Sequence, residues 1–314
     1  MKDSKPKIIV ILGQTSTGKS DFAVQMAKHI GGEIISADSR QVYRGMDLGT
    51  GKITKKEMLG VPHYLLDVAS PKSTFSVSKF KKLADKKIQE IIKRGKTPII
   101  CGGTGFYIDA LVSGQVLPEV APNLALRKKL EQFSKQELFK TLQKLDKKRA
   151  ATIDKDNPVR LIRAIEVANV LGKVPKFTDV GRLQTYDVLK IGLTLPDEVL
   201  KERIYKRILV RIKKGMIKEV KNLHDNGLSW KRMYDLGLEY RFISEYLQGK
   251  YKTLTPSLAS DREMMIEKLN IDTWHYAKRQ KTWFKRDKET MWIDPREIHE
   301  SALVLKKIKE FLKP

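Results

Sequence analysis

The sequence predicts an α/β protein, a parallel sheet flanked by helices with an all-helical insertion. Three observations carry this prediction. Strand-like and helix-like segments alternate from the N-terminus to about residue 115, the pattern of a parallel sheet with helices packed on it. The stretch GQTSTGKS, Gly13 to Ser20, lies between a strand-like and a helix-like run. It is G-x-x-x-x-G-K-[ST] in the strand–loop–helix context of a P-loop NTPase-like fold. From Asn123 to Lys173 only helical patterns occur, and strand character returns at Asp187–Leu195.

The first strand is the apolar run Ile8-Ile9-Val10-Ile11-Leu12. A helix over Ser20–Ile30 follows the loop, with Phe22, Met26 and Ile30 at helical spacing. Further strands are expected at Glu33–Ser36, His63–Val68 and Thr97–Cys101. Helices are expected at Gly105–Val112 and at Val77–Arg94, where Phe80, Leu83, Ala84, Ile88, Ile91 and Ile92 share one face. Pro118 and Pro122 break the alternation. Leu124, Arg127, Leu130 and Phe133 then form one helical pattern, and Leu138, Leu142 and Leu145 another. Pro158 starts a third helix carrying Leu161, Ile162, Ile165 and Val170, which ends at Leu171-Gly172-Lys173. The expected organisation is a core of residues 1–116 and 187–314 around an insertion of residues 117–186, the size of a small domain. Beyond the returning strand the chain reads as mostly helix, with one more strand at Met291–Ile293.

No apolar run approaches the roughly 20 residues of a membrane span. MKDSKPK leads straight into the first strand, so no cleavable signal peptide is expected. The single cysteine, Cys101, excludes an internal disulfide framework and a zinc site built on several cysteines. A cytoplasmic monomer is the expectation. The net charge of +25, with pI near 9.9, suits a polyanionic partner, nucleic acid or anionic membrane. Dispersed lysines such as Lys81-Lys82 and Lys86-Lys87 are equally well explained as solvated helix faces.

In GQTSTGKS the glycines let the backbone close around an anion, and amides at a helix N-terminus supply positive potential. Gly13, Gln14, Thr15, Ser16, Thr17, Gly18, Lys19 and Ser20 are therefore the phosphate-binding set. Lys19 is a point charge for the outer phosphate, and the Ser20 hydroxyl is placed for Mg²⁺. A motor ATPase also needs an aspartate closing an apolar strand. The available strand ends are Asp38, Asp67 and Cys101-Gly102-Gly103, and none is an apolar run closed by Asp-Glu. Asp38 is best placed, because the tips of parallel strands converge on the loop. It is suited to a metal or to an acceptor, or else to capping a turn.

Over nearly its whole length the chain resembles the tRNA dimethylallyltransferases, or isopentenyl-tRNA transferases. The resemblance rests on GQTSTGKS, ISADSRQVYRGMDLGTGK at 35–52, PHYLLDVASP at 62–71, CGGTGFYIDAL at 101–111, VRLIRAIEV at 159–167, RIYKRILVRIKKGMIKEV at 203–220 and RQKTWFKR at 279–286. It implies that the loop grips the diphosphate of dimethylallyl diphosphate, a leaving group, with Mg²⁺. The nucleophile is then the N6 amine of an adenosine next to the anticodon, position 37 by family analogy, presented by a tRNA anticodon stem-loop. ATP would at most compete for the loop. The resemblance makes Asp38 the general base and Arg207 the arginine that opposes charge on the leaving group. It gives the Thr104 hydroxyl either the diphosphate or the flipped base to contact, against the plainer role of helix cap. The tRNA contacts it implies are Asp38, Ser39, Arg40, Gln41, Thr104, Arg279 and Gln280 in the core. In the insertion they are Arg127, Arg160 and Arg163, the last two on a shared helix face. Trp283 and Trp274 are more often core than stacking platforms, and His63 is read as structural.

Two places depart from the family. Arg211 stands where a methionine is common, and Leu236–Arg241 is longer than the usual Gly-Tyr-Lys segment. Other readings of the same residues are an adenylate isopentenyltransferase, a small-molecule kinase and a nucleic-acid-binding NTPase. The first needs no large basic surface, and the other two need ATP turnover.

Overall fold

The computed structural model describes residues 5–113, 118–175, 185–251 and 260–313. The chain divides into two compact units, Met1–Ser113 with Gln184–Pro314, and Gly114–Leu183. The expected insertion boundary at residue 117 lies outside the described residues.

The first unit opens with β1 (Lys7–Gly13), α1 (Lys19–Ile30), β2 (Gly32–Ser36), β3 (His63–Tyr64), α2 (Val77–Lys93), β4 (Thr97–Gly102) and α3 (Gly105–Val112). The second unit holds α4 (Leu124–Leu130), α5 (Lys135–Leu145), α6 (Lys147–Ala150) and α7 (Pro158–Leu171). The first unit resumes with β5 (Asp187–Leu193), α8 (Asp197–Lys213), α9 (Met216–Asp225), α10 (Trp230–Leu236), α11 (Leu238–Leu247), α12 (Asp261–Phe284), β6 (Met291–Ile293) and α13 (Ile298–Leu312).

The described strands form one parallel sheet in the order β3-β2-β4-β1-β5-β6. Helices cover both faces, so β1 can be apolar throughout. Ile8, Val10 and Leu12 face α2 and α3, meeting Phe80, Ile88 and Ile108. Ile9 and Ile11 face the other way, onto Phe22 and Met26 of α1 and Val304 and Ile308 of α13. A separate apolar cluster unites α8 to α12 with Val42, Tyr43 and Met46. Among the described residues no helix is long and apolar enough to cross a membrane.

The strand expected at His63–Val68 stops at Tyr64. Leu65 and Asp67 take positive φ, 61° and 57°, which turns the chain out of the sheet. On the α2 face Leu83 is exposed while Phe80, Ala84, Ile88 and Ile91 are buried.

In the second unit Leu130, Leu138, Leu142, Leu161 and Ile165 form the core. Pro158 occupies the first turn of α7, as the sequence predicts, and Asn157 caps the helix. The Glu166 carboxylate is 1% exposed and accepts from Arg127 Nε (2.7 Å) and Nη2 (2.6 Å), from the Asn123 amide (2.9 Å) and from Arg163 Nη1 (3.2 Å). Arg163 Nη2 also donates to the Val120 carbonyl at 2.9 Å. Arg127 and Arg163 thus have a structural task that spacing alone does not reveal. Arg160 instead points to solvent with Asp154 (3.2 Å), its side chain 58% exposed.

Burial alone would raise the Glu166 pKa, but its hydrogen bonds from Arg127, Asn123 and Arg163 outweigh this and hold it below 4.5. Because the folded value is depressed, this stability is complete above the unfolded carboxylate pKa and is lost as pH falls through the folded value. Glu166→Ala is expected to cost about 2–3 kcal/mol, because the partially solvated arginines lose their shared acceptor. Urea unfolding at pH 7 and pH 3 checks this, and the mutational cost should shrink at the lower pH.

Candidate active site

The anion loop is built by conformations that few residues tolerate. Gly13 has φ 142°, and a Cβ there would stand 2.3 Å from the Leu193 carbonyl oxygen of β5. Ser16 and Gly18 also have positive φ, 64° and 91°. Thr17 Oγ1 donates to the Gln14 carbonyl at 2.8 Å, and Lys19 Nζ donates to the same oxygen. Gln14 and Thr17 are fully buried, so they shape the loop from behind.

In front of it lies a cavity of about 410 Å³ lined by Thr15, Ser16, Gly18, Lys19 and Ser20. Its opposite wall carries Arg203, Lys206 and Arg207 from α8. Arg207 Nη1 donates to Ser16 Oγ at 3.2 Å. Burial lowers the Lys19 pKa to about 8 and Arg207 adds to this, while Cys101 and Asp38 oppose it. Burial and then Arg211 lower the Arg207 pKa. Both shifts come first from burial and then from a neighbouring cation, and a polyanion in the cavity would oppose them. Burial pushes the Cys101 thiol up to about 12.

The tips of β2 and β4 are knitted beside this cavity. Ala37 N–H donates to the Cys101 carbonyl (2.8 Å), and Thr104 N–H donates to the Ala37 carbonyl (3.2 Å). A Cβ on Gly102 would lie 2.3 Å from that Ala37 oxygen. Asp38 follows directly. Its Oδ1 accepts the amides of Arg40 (2.8 Å) and Gln41 (3.3 Å), and Oδ2 accepts no hydrogen bond among the described residues. Oδ1 thus caps the turn, and Oδ2 is left for another partner. Asp38, Thr15, Thr50, Arg207 and Tyr276 line both the first cavity and an adjoining one of about 270 Å³. The adjoining cavity adds Ser39, Arg40, Arg211, Arg241 and Arg279.

The sequence-predicted residues separate into three groups. The loop from Thr15 to Ser20, Asp38, Gln41, Arg207 and Gln280 meet at the first cavity, apart from buried Thr17, and Ser39, Arg40 and Arg279 at the second. Arg127, Arg160 and Arg163 belong to the other unit. Thr104 lines neither cavity, and it does not cap α3 with its side chain. Its Oγ1 accepts the Ser39 amide at 3.0 Å, joining the loops after β2 and β4. His63 lies within 2.9 Å of the Val61 carbonyl, a structural setting.

Gln280 lines the first cavity but is only 6% exposed, and both ends of its amide are engaged by the backbone. Oε1 accepts the Thr15 amide (2.7 Å) and Nε2 donates to the Gly103 carbonyl (2.8 Å), stitching the anion loop to the tip of β4. One turn on, Trp283 donates its indole N–H to Asp109 at 2.9 Å, with Arg286 stacked 3.9 Å from its ring. Added Cβ atoms would lie 2.3 Å from Gln280 at Gly103 and 2.2 Å from Trp283 at Gly105. The GGTG and RQKTW segments are therefore two halves of one joint. Arg203, Lys206 and Tyr276 escaped the sequence reading. A signal existed: Arg203 and Tyr276 each stand one helical turn before an assigned residue, Arg207 and Gln280.

A P-loop and a set of α8 cations lining one cavity, with a carboxylate on the wall it shares with a second, define a group-transfer enzyme that grips phosphates. The chain belongs to the IPP transferase family, whose pattern matches residues 41–287. The tRNA dimethylallyltransferase 2 of Treponema denticola is 43% identical over 284 residues, covering 90% of this chain and 92% of that protein. The tRNA dimethylallyltransferase of Acetivibrio thermocellus is 38% identical over 312 residues, 97% of each chain. The crystal structure of the tRNA isopentenylpyrophosphate transferase of Bacillus halodurans superposes with a TM-score of 0.71 at 36% identity, covering 98% of this chain and 97% of that one.

Gln280→Ala frees the Thr15 amide and loosens the loop. It should weaken binding of inorganic diphosphate by roughly tenfold, the cost of one or two buried hydrogen bonds. The affinity for tRNA, measured separately, should change much less. The opposite pattern would mark Gln280 as a base-reading residue.

Proposed function

We infer that this chain transfers the dimethylallyl group of dimethylallyl diphosphate to the N6 amine of an adenosine next to a tRNA anticodon, position 37 by family analogy. The allylic C1–O bond breaks, the C1–N6 bond forms, N6 loses a proton, and diphosphate leaves. One observation carries the reading: Asp38, with one oxygen held by two amides, stands on the wall shared by the two cavities. The anion loop and α8 cations suit the diphosphate on one side. The side with Ser39, Arg40 and Arg279 suits a splayed nucleotide.

An adenine N6 lone pair is delocalised into the ring, so the amine is a poor nucleophile. The Asp38 carboxylate takes its proton as the bond forms, an effect worth roughly 10²–10⁴ in rate. Lys19 and Arg207 oppose charge that grows on the leaving oxygens, and such electrostatic help is often the largest single contribution. Mg²⁺ fits this cavity. The Ser20 hydroxyl and the Asp21 carboxylate are hard oxygen donors lining it, and Mg²⁺ is typically held by few protein groups plus substrate phosphates. When bound it would neutralise diphosphate charge. No group of three or more His, Cys, Asp or Glu that would cage a metal occurs among the described residues.

The basic second unit is read as a tRNA-binding element, acting in the cytoplasm in a monomeric enzyme. Arg160, with its exposed side chain, is the insertion arginine suited to a phosphate, since Glu166 engages the other two.

Labelled dimethylallyl diphosphate offered with bulk tRNA or with free AMP tests the function directly. Transfer to AMP alone, or stoichiometric ATP hydrolysis, overturns it. Asp38→Asn should cut turnover by at least ~10² while diphosphate binding stays near wild type. Arg160→Ala should raise the KM for tRNA and flatten its salt dependence by somewhat under ~1 in slope, leaving dimethylallyl diphosphate affinity unchanged.

A further inference from the structure

The loop Asp47–Gly51 forms one rim of both cavities through Thr50, and of the first through Gly51. It has no regular secondary structure, yet its polar backbone is satisfied from two sides. Glu219 of α9 accepts the amides of Asp47 (3.0 Å), Leu48 (2.7 Å) and Gly49 (3.0 Å). Arg211 of α8 donates to the carbonyls of Leu48 (3.2 Å) and Gly49 (3.1 Å). The two gripping side chains are themselves held by consecutive residues of α11. Glu239 pairs with Arg211 at 2.9 Å, both side chains largely buried, and Tyr240 donates its hydroxyl to Glu219 at 2.8 Å. A Cβ on Gly49 would lie 2.5 Å from the Tyr240 ring, so the loop is pressed against the same helix.

The far end of the loop meets Arg207. A Cβ on Gly51 would stand 2.9 Å from Arg207 Nη2. The Arg207 guanidinium therefore lies between Ser16 of the anion loop and the backbone of Gly51. Arg211 lies one turn further along α8, its Nε 3.4 Å from the Arg207 carbonyl.

We propose that Arg211 and Glu219, fixed by Glu239 and Tyr240, are positioning residues of the transfer reaction: they clamp the Asp47–Gly51 loop and through it set the place of Arg207. The amides bind the anion and the carbonyls bind the cation, so the loop cannot slide without breaking charge-assisted hydrogen bonds on both sides. Glu239 has a second task. It supplies the negative charge that offsets the repulsion between two arginines one turn apart beside the cavity. The direction of the Arg207 shift agrees, since Arg211 lowers its pKa and Glu239 opposes this. Arg207 is then poised before substrate arrives, which is where preorganised electrostatics act.

The inference rests on the transfer reading above, and the experiment separates the two. Glu239→Gln, Arg211→Met, the double variant and the milder Tyr240→Phe are compared with wild type. The measurements are kcat, KM for each substrate, Kd for inorganic diphosphate, melting temperature, and hydrogen exchange of the amides of residues 47–51. Each of the first two variants should lower kcat roughly tenfold, the scale of coupling between contacting residues, and weaken diphosphate binding. Both should speed exchange at 47–51. The double variant should cost less than the two single losses combined, because neither charge is left unpaired. Tyr240→Phe, which removes only a hydroxyl, should move kcat and exchange in the same direction by less. A lowered melting temperature with unchanged kcat and unchanged diphosphate affinity would reduce the clamp to a structural contact and overturn the proposal. If wild-type enzyme transfers nothing to tRNA, the function fails, while the diphosphate and exchange measurements still decide the clamp.

Discussion

The geometry of the cavity depends on one buried amide side chain. Gln280 reaches from α12 to the first amide-bearing turn of the anion loop and to the carbonyl that ends β4. Each contact replaces a hydrogen bond that water would otherwise supply, so losing the side chain leaves a donor and an acceptor stranded where the helix covers them. The approach is close because Gly103 and Gly105 present no side chains to Gln280 and Trp283. Sequence segments about 180 residues apart are therefore one structural part, and the anion loop takes its place from a helix as much as from its own strand.

The sheet order explains why the other groups converge. β4 lies between β1 and β2, so the anion loop, the Gly102-Gly103 turn and Asp38 end up on three adjacent strand tips. This is the carboxyl edge where open parallel sheets bind ligands. α8 then crosses opposite with Arg203, Lys206 and Arg207, so that cations face the loop while the carboxylate marks the boundary with the second cavity.

Much of this was legible in the sequence, for identifiable reasons. GQTSTGKS carries its own context, apolar runs as uniform as Ile8–Leu12 can only be buried strands here, and Pro158 announces a helix start. Residues whose meaning is set by distant partners were not legible. Gln280 and Thr104 look like groups facing a ligand, and nothing in their spacing shows that each also holds another segment. Arg127 and Arg163 look like free cations until Glu166, on the same helix as Arg163, is found buried between them. The strand expected to run on to Val68 was stopped by positive φ at Leu65 and Asp67, residues with no glycine to signal it. Arg211 and the Leu236–Arg241 segment stood out separately as departures from the family, and only the fold shows that Arg211 and Glu239 touch.

The pairing of β1 has a consequence for how the chain reaches its native state. The central strand pairs with β4 on one side and, along its full length from Lys7 to Gly13, with β5 on the other. β5 begins only at Asp187, and Gln280 comes later still. During synthesis the phosphate-gripping segment therefore emerges well before the strand and the helix that complete it. Such pairings between distant stretches slow folding, since the entropy of closing the intervening chain is lost before the contacts form. The nascent chain thus carries an unfinished anion hole until β5 and α12 have both been made.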